Sequence, residues 1–171
     1  MESLLIALVS VALVIIATVT MTISAFGSAI TLTDSWNKME KRAEDVRRTS
    51  IAVTPPDNYA GGNIALLVIN DGQTDLSDFT HWDIITENQT GSIWYIDYTP
   101  DAPGNNQWTL EGIYLTSNLS TTEAFDFNIL NPGETANLTI KLSPEIGAGK
   151  LGKITVSTPN GVTAQCIVSR S

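Results

Sequence analysis

The chain has 171 residues, enough for one domain of ordinary size plus an appendage. Its net charge is −9, and the imbalance lies wholly in residues 51–171, because residues 1–50 carry five acids and five bases. An acidic second part with so few bases argues against nucleic acid as a partner, since phosphate binding needs a basic face. A single cysteine, Cys166, rules out an intrachain disulfide and reads as a small apolar residue in a strand.

Residues 1–36 read MESLLIALVSVALVIIATVTMTISAFGSAITLTDSW, with no charge between Glu2 and Asp34. A secretory signal has a basic start and an apolar stretch of about 7–15 residues. This segment has no base ahead of its apolar run, and the run from Leu4 to Leu32 is about twice too long for that. A bilayer core of about 30 Å needs about 20 apolar residues, so the run suffices to span it. The one basic cluster, Lys38 to Arg48, follows the run and would place the remainder on the cytoplasmic side. Residues 51–171 nevertheless look extracytoplasmic. They are acidic and rich in Thr, Asn and Gly, and they carry N-glycosylation sequons at Asn88, Asn118 and Asn137. A basic leader removed from in front of Met1 would resolve the conflict.

No proline precedes Pro55, and Gly27 is the one glycine before Gly61. Residues 34–50, DSWNKMEKRAEDVRRTS, continue as helix, with Trp36, Met39, Ala43 and Val46 as a narrow apolar stripe. Pro55-Pro56 ends the run, because proline lacks an N–H and biases its predecessor to extended geometry. One helix over residues 1–50 is predicted, about 70 Å long at 1.5 Å per residue, which is more than twice the length a bilayer requires. Thr18, Thr20, Thr22, Ser24 and Ser28 lie inside its apolar half. Such residues can bond their own i−4 carbonyls and let helices approach closely.

Residues 51–62 read as a linker, and residues 63–171 as a separate outer domain. The pattern there changes to short β-type runs near 63–70, 79–87, 91–98, 107–115, 123–130, 134–142, 151–158 and 161–168. They are separated by turn signals such as Asp71-Gly72, Asn131-Pro132-Gly133 and Pro159-Asn160-Gly161. Within one run Leu138, Ile140 and Leu142 alternate with Asn137, Thr139 and Lys141. The fold class is α+β, a long apolar helix followed by an immunoglobulin-like all-β sandwich.

Nothing in the sequence calls for catalysis or a cofactor. His81, the single histidine, falls in a predicted strand, and one His with one Cys makes a poor zinc site. Asp71, Asp75 and Asp78 could touch calcium but lack the EF-hand spacing, so a solvated turn is the better reading. The aromatics Trp82, Trp94, Tyr95, Tyr98, Trp108 and Tyr114 read as core or cross-strand pairs rather than a sugar platform.

A long apolar helix that becomes amphipathic and then enters a disulfide-free sandwich resembles the type IV pilin superfamily, and within it the archaellins. Leu5 stands where bacterial pilins usually carry glutamate, which favours the archaellin side of the resemblance. The segments NIALLVINDG and NPGETANLTIKL also resemble the sandwiches of archaellum stator proteins and archaeal adhesins. The resemblance implies a precursor held in the membrane, a leader removed by a prepilin-type peptidase, and assembly machinery that adds subunits to a filament serving motility or attachment. It implies many copies bundled through Leu5, Leu8, Ala12, Ile15, Val19, Ile23 and Phe26, with Trp36, Met39 and Val46 at the seam with the outer domain. The alternative it leaves open is a membrane-anchored, stator-like or adhesive binding module. Burying about 1,500 Å² of such a helix, at about 25 cal/mol per Å², is worth tens of kcal/mol before ordering costs. A bilayer and a bundle of its own kind are the two environments that suit it.

Overall fold

A computed structural model describes residues 2–55, 59 and 62–170. The chain divides into two compact units, Met1–Ala43 and Glu44–Ser171. Helix α1 spans Glu2–Arg48, 47 residues without a break, and none of its side chains is buried. Gly27 does not interrupt it, and both ends suit the helix dipole, with Glu2 in the first turn and Arg47 and Arg48 in the last.

Eight strands follow among the described residues: β1 (Ile51–Thr54), β2 (Asn63–Asn70), β3 (Asp83–Asn88), β4 (Ile93–Tyr98), β5 (Gln107–Tyr114), β6 (Thr135–Lys141), β7 (Leu151–Ser157) and β8 (Thr163–Ser169). Their order is β1-β2-β6-β5-β4-β3-β7-β8. Neighbours pair antiparallel except β4 and β5, which are joined in parallel only at Asp97↔Gln107 and Tyr98↔Trp108. That short parallel join lets β1-β2-β6-β5 fold over β4-β3-β7-β8 as a nearly closed sandwich. Alternation drives the closure: Ile64, Leu66 and Val68 of β2, Leu138 and Ile140 of β6, Ile84 of β3 and Ile154 and Val156 of β7 all point inward and are buried. Trp108 fills the centre edge-on to Tyr98, with ring centroids 4.9 Å apart. Trp82 packs against Phe79 with ring centroids 4.9 Å apart and the rings tilted by 34°, and it donates its indole N–H to the Ser77 carbonyl at 3.1 Å.

Three expectations need correction. Residues 51–54, read as part of a linker, form β1 and pair with Leu67–Asn70 of β2. Residues 79–81 form a single 3-10 turn before β3, so His81 is not in a strand. Residues 123–130 are not a strand. The Glu123 carboxylate accepts the backbone N–H groups of Ala124, Phe125 and Asp126, the donors a strand would offer a neighbour, and Asn128 adopts φ 61°. Of the expected helix stop Pro55-Pro56, Pro56 lies outside the described residues. The helix has already ended at Arg48.

Candidate assembly surfaces

Every large apolar side chain from Leu4 to Leu32 is between 48% and 74% exposed. The residues expected to pack in a core, Leu5, Leu8, Ala12, Ile15, Val19, Ile23 and Phe26, fall within an arc of about 80° at 3.6 residues per turn, but apolar residues continue around the other faces. A helix apolar all round is made for burial on every side. Its hydroxyls are compatible with that. Ser10, Thr18, Thr20, Thr22, Ser28, Thr31, Thr33 and Ser35 each donate to the carbonyl four residues back, at 2.6–3.0 Å. No neighbouring chain is needed to satisfy them. Thr20→Val should therefore leave filament yield unchanged and shift stability by less than about 0.5 kcal/mol. Thermal dissociation of filaments would check this, and lost assembly would mean that the hydroxyl bonds a neighbour.

Of the expected seam, Trp36 and Met39 are 73% and 69% exposed and Val46 is 37% exposed. The junction inside the second unit is built from other residues. Thr49, buried just past the helix, gives its hydroxyl proton to the Asp45 carbonyl at 2.7 Å. A hydroxyl has one proton, so Thr74 Oγ1, 2.7 Å away, donates to it, as does Asn160 Nδ2 at 2.8 Å. The Arg48 carbonyl accepts from Gln73 N–H at 2.8 Å. Asn70, fully buried, donates to the carbonyls of Thr74 and Leu130 and accepts from Gly72 N–H. The turn after β2, the turn between β7 and β8 and the end of α1 are thereby tied at one end of the sandwich. Apart from the Asp71-Gly72 and Asn160-Gly161 turn signals, nothing in the sequence points to this network.

The loop between β5 and β6 leaves from the same end, because Tyr114 and Ile69 both pair with Thr135. It holds Phe125 and Phe127 out at 91% and 77% exposure. Glu123 fixes their backbone, and Glu134 anchors the loop's far side by accepting Asn131 N–H at 2.8 Å. The N–H of Phe125, assisted by those of Asp126 and Ala124, holds the Glu123 carboxyl below its usual range, whereas burial pushes Glu134 up. The loop's hold from Glu123 is therefore complete above the ordinary carboxylate range and is lost as pH falls through the lowered value.

The outer face of β4-β3-β7-β8 carries a second apolar group, Ile85, Ile93, Tyr95, Leu151 and Ile167, all 40–66% exposed. Tyr95 is pinned by its hydroxyl donating to Asp83 at 2.6 Å, and Lys153 pairs with Glu87 at 2.5 Å between the apolar residues.

The remaining sites anticipated from the sequence are scattered. Asn88 ends β3, half-buried, and Asn118 sits on an exposed turn; their Oδ1 atoms accept the N–H of Thr90 and Ser120 at 3.0 Å. Asn137 lies mid-strand in β6 between β2 and β5, half-buried with its Oδ1 sealed from solvent. His81 Nδ1 lies 2.8 Å from Asp78, and their contact raises the imidazole pKa and lowers the carboxyl. Asp78 is thus engaged by His81 and Thr80 rather than set toward Asp71 and Asp75. Among the described residues no three His, Cys, Asp or Glu side chains converge as metal ligands. Cys166 is buried, and burial pushes its thiol up to about 11.

An exposed apolar helix running into an acidic sandwich defines a subunit that a membrane or other copies of itself must cover. The profile of the archaeal-type flagellin family matches residues 4–167, and the chain belongs to that family, whose members are structural subunits of the archaellum, an extracellular motility filament. No curated protein matches the chain. The archaeal flagellum of Methanospirillum hungatei strain JF1 is similar in fold over 96% of this chain and 91% of its own, at 14% identity and TM-score 0.59. Flagellin FlaB1 of Methanocaldococcus jannaschii is similar over 71% of this chain and 90% of its own, at 11% identity and TM-score 0.50. The archaellum periplasmic stator protein FlaG of Sulfolobus acidocaldarius is similar over 70% of this chain and 99% of its own, at 20% identity and TM-score 0.53. Of these three, the Methanospirillum likeness alone takes in nearly the whole chain, helix included.

Proposed function

We propose that α1 is the assembly element and that the sandwich of residues 63–171, with β1, tiles the filament exterior. The observation that carries this is the continuous 47-residue helix, apolar and exposed from Leu4 to Leu32. Its Leu5, Leu8, Ala12, Ile15, Val19, Ile23 and Phe26 face meets the same segment of neighbouring copies. Before assembly the helix, long and apolar enough to cross a membrane, stores the precursor in the cytoplasmic membrane. A prepilin-type peptidase trims the precursor, and the filament machinery extracts it and adds it to the growing base. Head-to-tail contacts that do not close produce an open helical filament. The sequon at the exposed turn of Asn118 is the first candidate for surface glycosylation, ahead of half-buried Asn88 at the end of β3 and of Asn137, whose Oδ1 is sealed from solvent.

The fold likeness to FlaG supports a second reading, a membrane-anchored stator-like module. Shearing cells that express the chain and analysing the released material by mass spectrometry separates the two. A filament subunit is the major species of the sheared fibres. A stator-like module stays with the membrane fraction, and that result would replace the proposal.

A further inference from the structure

Two groups of apolar side chains stand exposed on the sandwich among the described residues. The first is the Phe125/Phe127 projection, in the loop that leaves the sandwich at its helix-bearing end. The second lies at the opposite end. Ile93 and Lys153 both pair with Glu87, Lys153 pairs with Ile167, and Leu151 opens β7. All of these are far along the strands from Ser157 and the Asn160 turn that binds Thr49. Leu151 and Ile167, with the polar Glu87, Asn88, Gln89 and Lys153, line a shallow open depression of about 320 Å³, and Ile93 lies outside that lining on the far side of Glu87. The depression is open on one side, so a phenylalanine ring from outside can lie across it against Leu151 and Ile167.

We infer that Phe125 and Phe127 of one subunit dock on the Ile93, Leu151 and Ile167 surface of the next, forming a longitudinal contact between outer domains of the filament. This rests on the filament reading, and it adds a contact that the helix does not supply. The occupant is a second copy for three reasons. The chain assembles in many copies. The loop that carries the projection leaves one end of the domain and returns along the second half of β5, whereas the depression lies at the other end, an offset that suits a head-to-tail contact that does not close on itself. The area is also too small for a free partner. Two buried phenylalanines contribute about 150–250 Å² each, so the contact totals well under the roughly 1,200–2,000 Å² of a stable free complex. It suffices when the helices already hold the domains at high effective concentration. The loop is prepared for docking, since three N–H groups are fixed on Glu123 before any neighbour arrives, which reduces the ordering cost of binding.

Hydroxyl-radical footprinting of the wild-type chain tests this without any variant. Phe125, Phe127, Ile93 and Ile167 should all lose reactivity in purified filaments relative to detergent-held subunits. If either set stays reactive while Met21 and Phe26 are protected in the same detergent-free filaments, this contact is wrong and the helix bundle stands. If Met21 and Phe26 are the reactive ones, the helix reading fails instead. Pairing is then read from the double variant Phe127→Cys/Leu151→Cys. Oxidised filaments should give a ladder of linked oligomers, with neither single variant linking; buried Cys166 is protonated at neutral pH and stays out of the reaction. Filaments without a ladder, dimers from Phe127→Cys alone, or protection seen only with other envelope proteins present would each overturn the pairing. Should the double variant not assemble, the wild-type footprint decides.

Discussion

Val19→Asp should abolish filaments while leaving the sandwich folded. The side chain is 52% exposed in the single subunit, so the substitution costs little there. In a bundle the same position is enclosed by apolar neighbours. An unpaired carboxylate there costs several kcal/mol, and every subunit along the filament pays it. The back-bonded hydroxyls nearby offer no relief, because Thr18 and Thr20 already spend their protons on Val14 and Ile16. Electron microscopy of sheared material, together with the amount of subunit in the membrane fraction, checks the outcome. The membrane measurement separates failed assembly from failed storage. Normal filaments from this variant would remove the helix from the assembly core.

Gly72→Ala should destabilise the junction between α1 and the sandwich, against the usual sign. Glycine to alanine at a compatible position stabilises by about 0.4–1 kcal/mol through the unfolded state. A Cβ at residue 72, however, would run into the backbone N of Ser50 and the carbonyl oxygen of Arg48. Backbone atoms cannot rotate away as a long side chain would, and overpacking of this kind costs about 1–3 kcal/mol. The clash exceeds the entropic gain. The displaced turn would strain the Gln73 to Arg48 hydrogen bond and the Thr74–Thr49–Asn160 cluster. Thermal unfolding of the purified chain should show a lowered midpoint, and filaments should break at lower shear. An unchanged or raised midpoint would show that the junction yields without cost.

The helix was legible because its determinants are local: no proline, one glycine, and a hydrophobic run ended by a charged, helix-favouring stretch. Most of the sandwich was legible for a similar reason, since alternation in 63–70 and 134–142 reports directly on a buried face. The misreadings arose where a side chain competed with the backbone. Phe-Asp-Phe-Asn-Ile-Leu alternates like a strand, but the Glu123 carboxylate claims its N–H groups, and the alternating aromatics turn out to face solvent. β1 escaped notice because four residues between a helix end and a proline carry too little pattern. The Thr49 junction was the least visible. Its partner Asn160 is 111 residues away, so only the fold brings the two together. Helical spacing puts Trp36 and Met39 on one face of α1 and leaves open what that face meets in an assembly.

Helical reconstruction of the native filament by electron cryomicroscopy tests the central claim most directly. The expected density has α1 segments packed against one another along the axis, with Leu5, Ala12 and Val19 enclosed by neighbouring copies and the acidic sandwiches outside. A filament with an axis free of helices, held together by sandwich contacts alone, would contradict it.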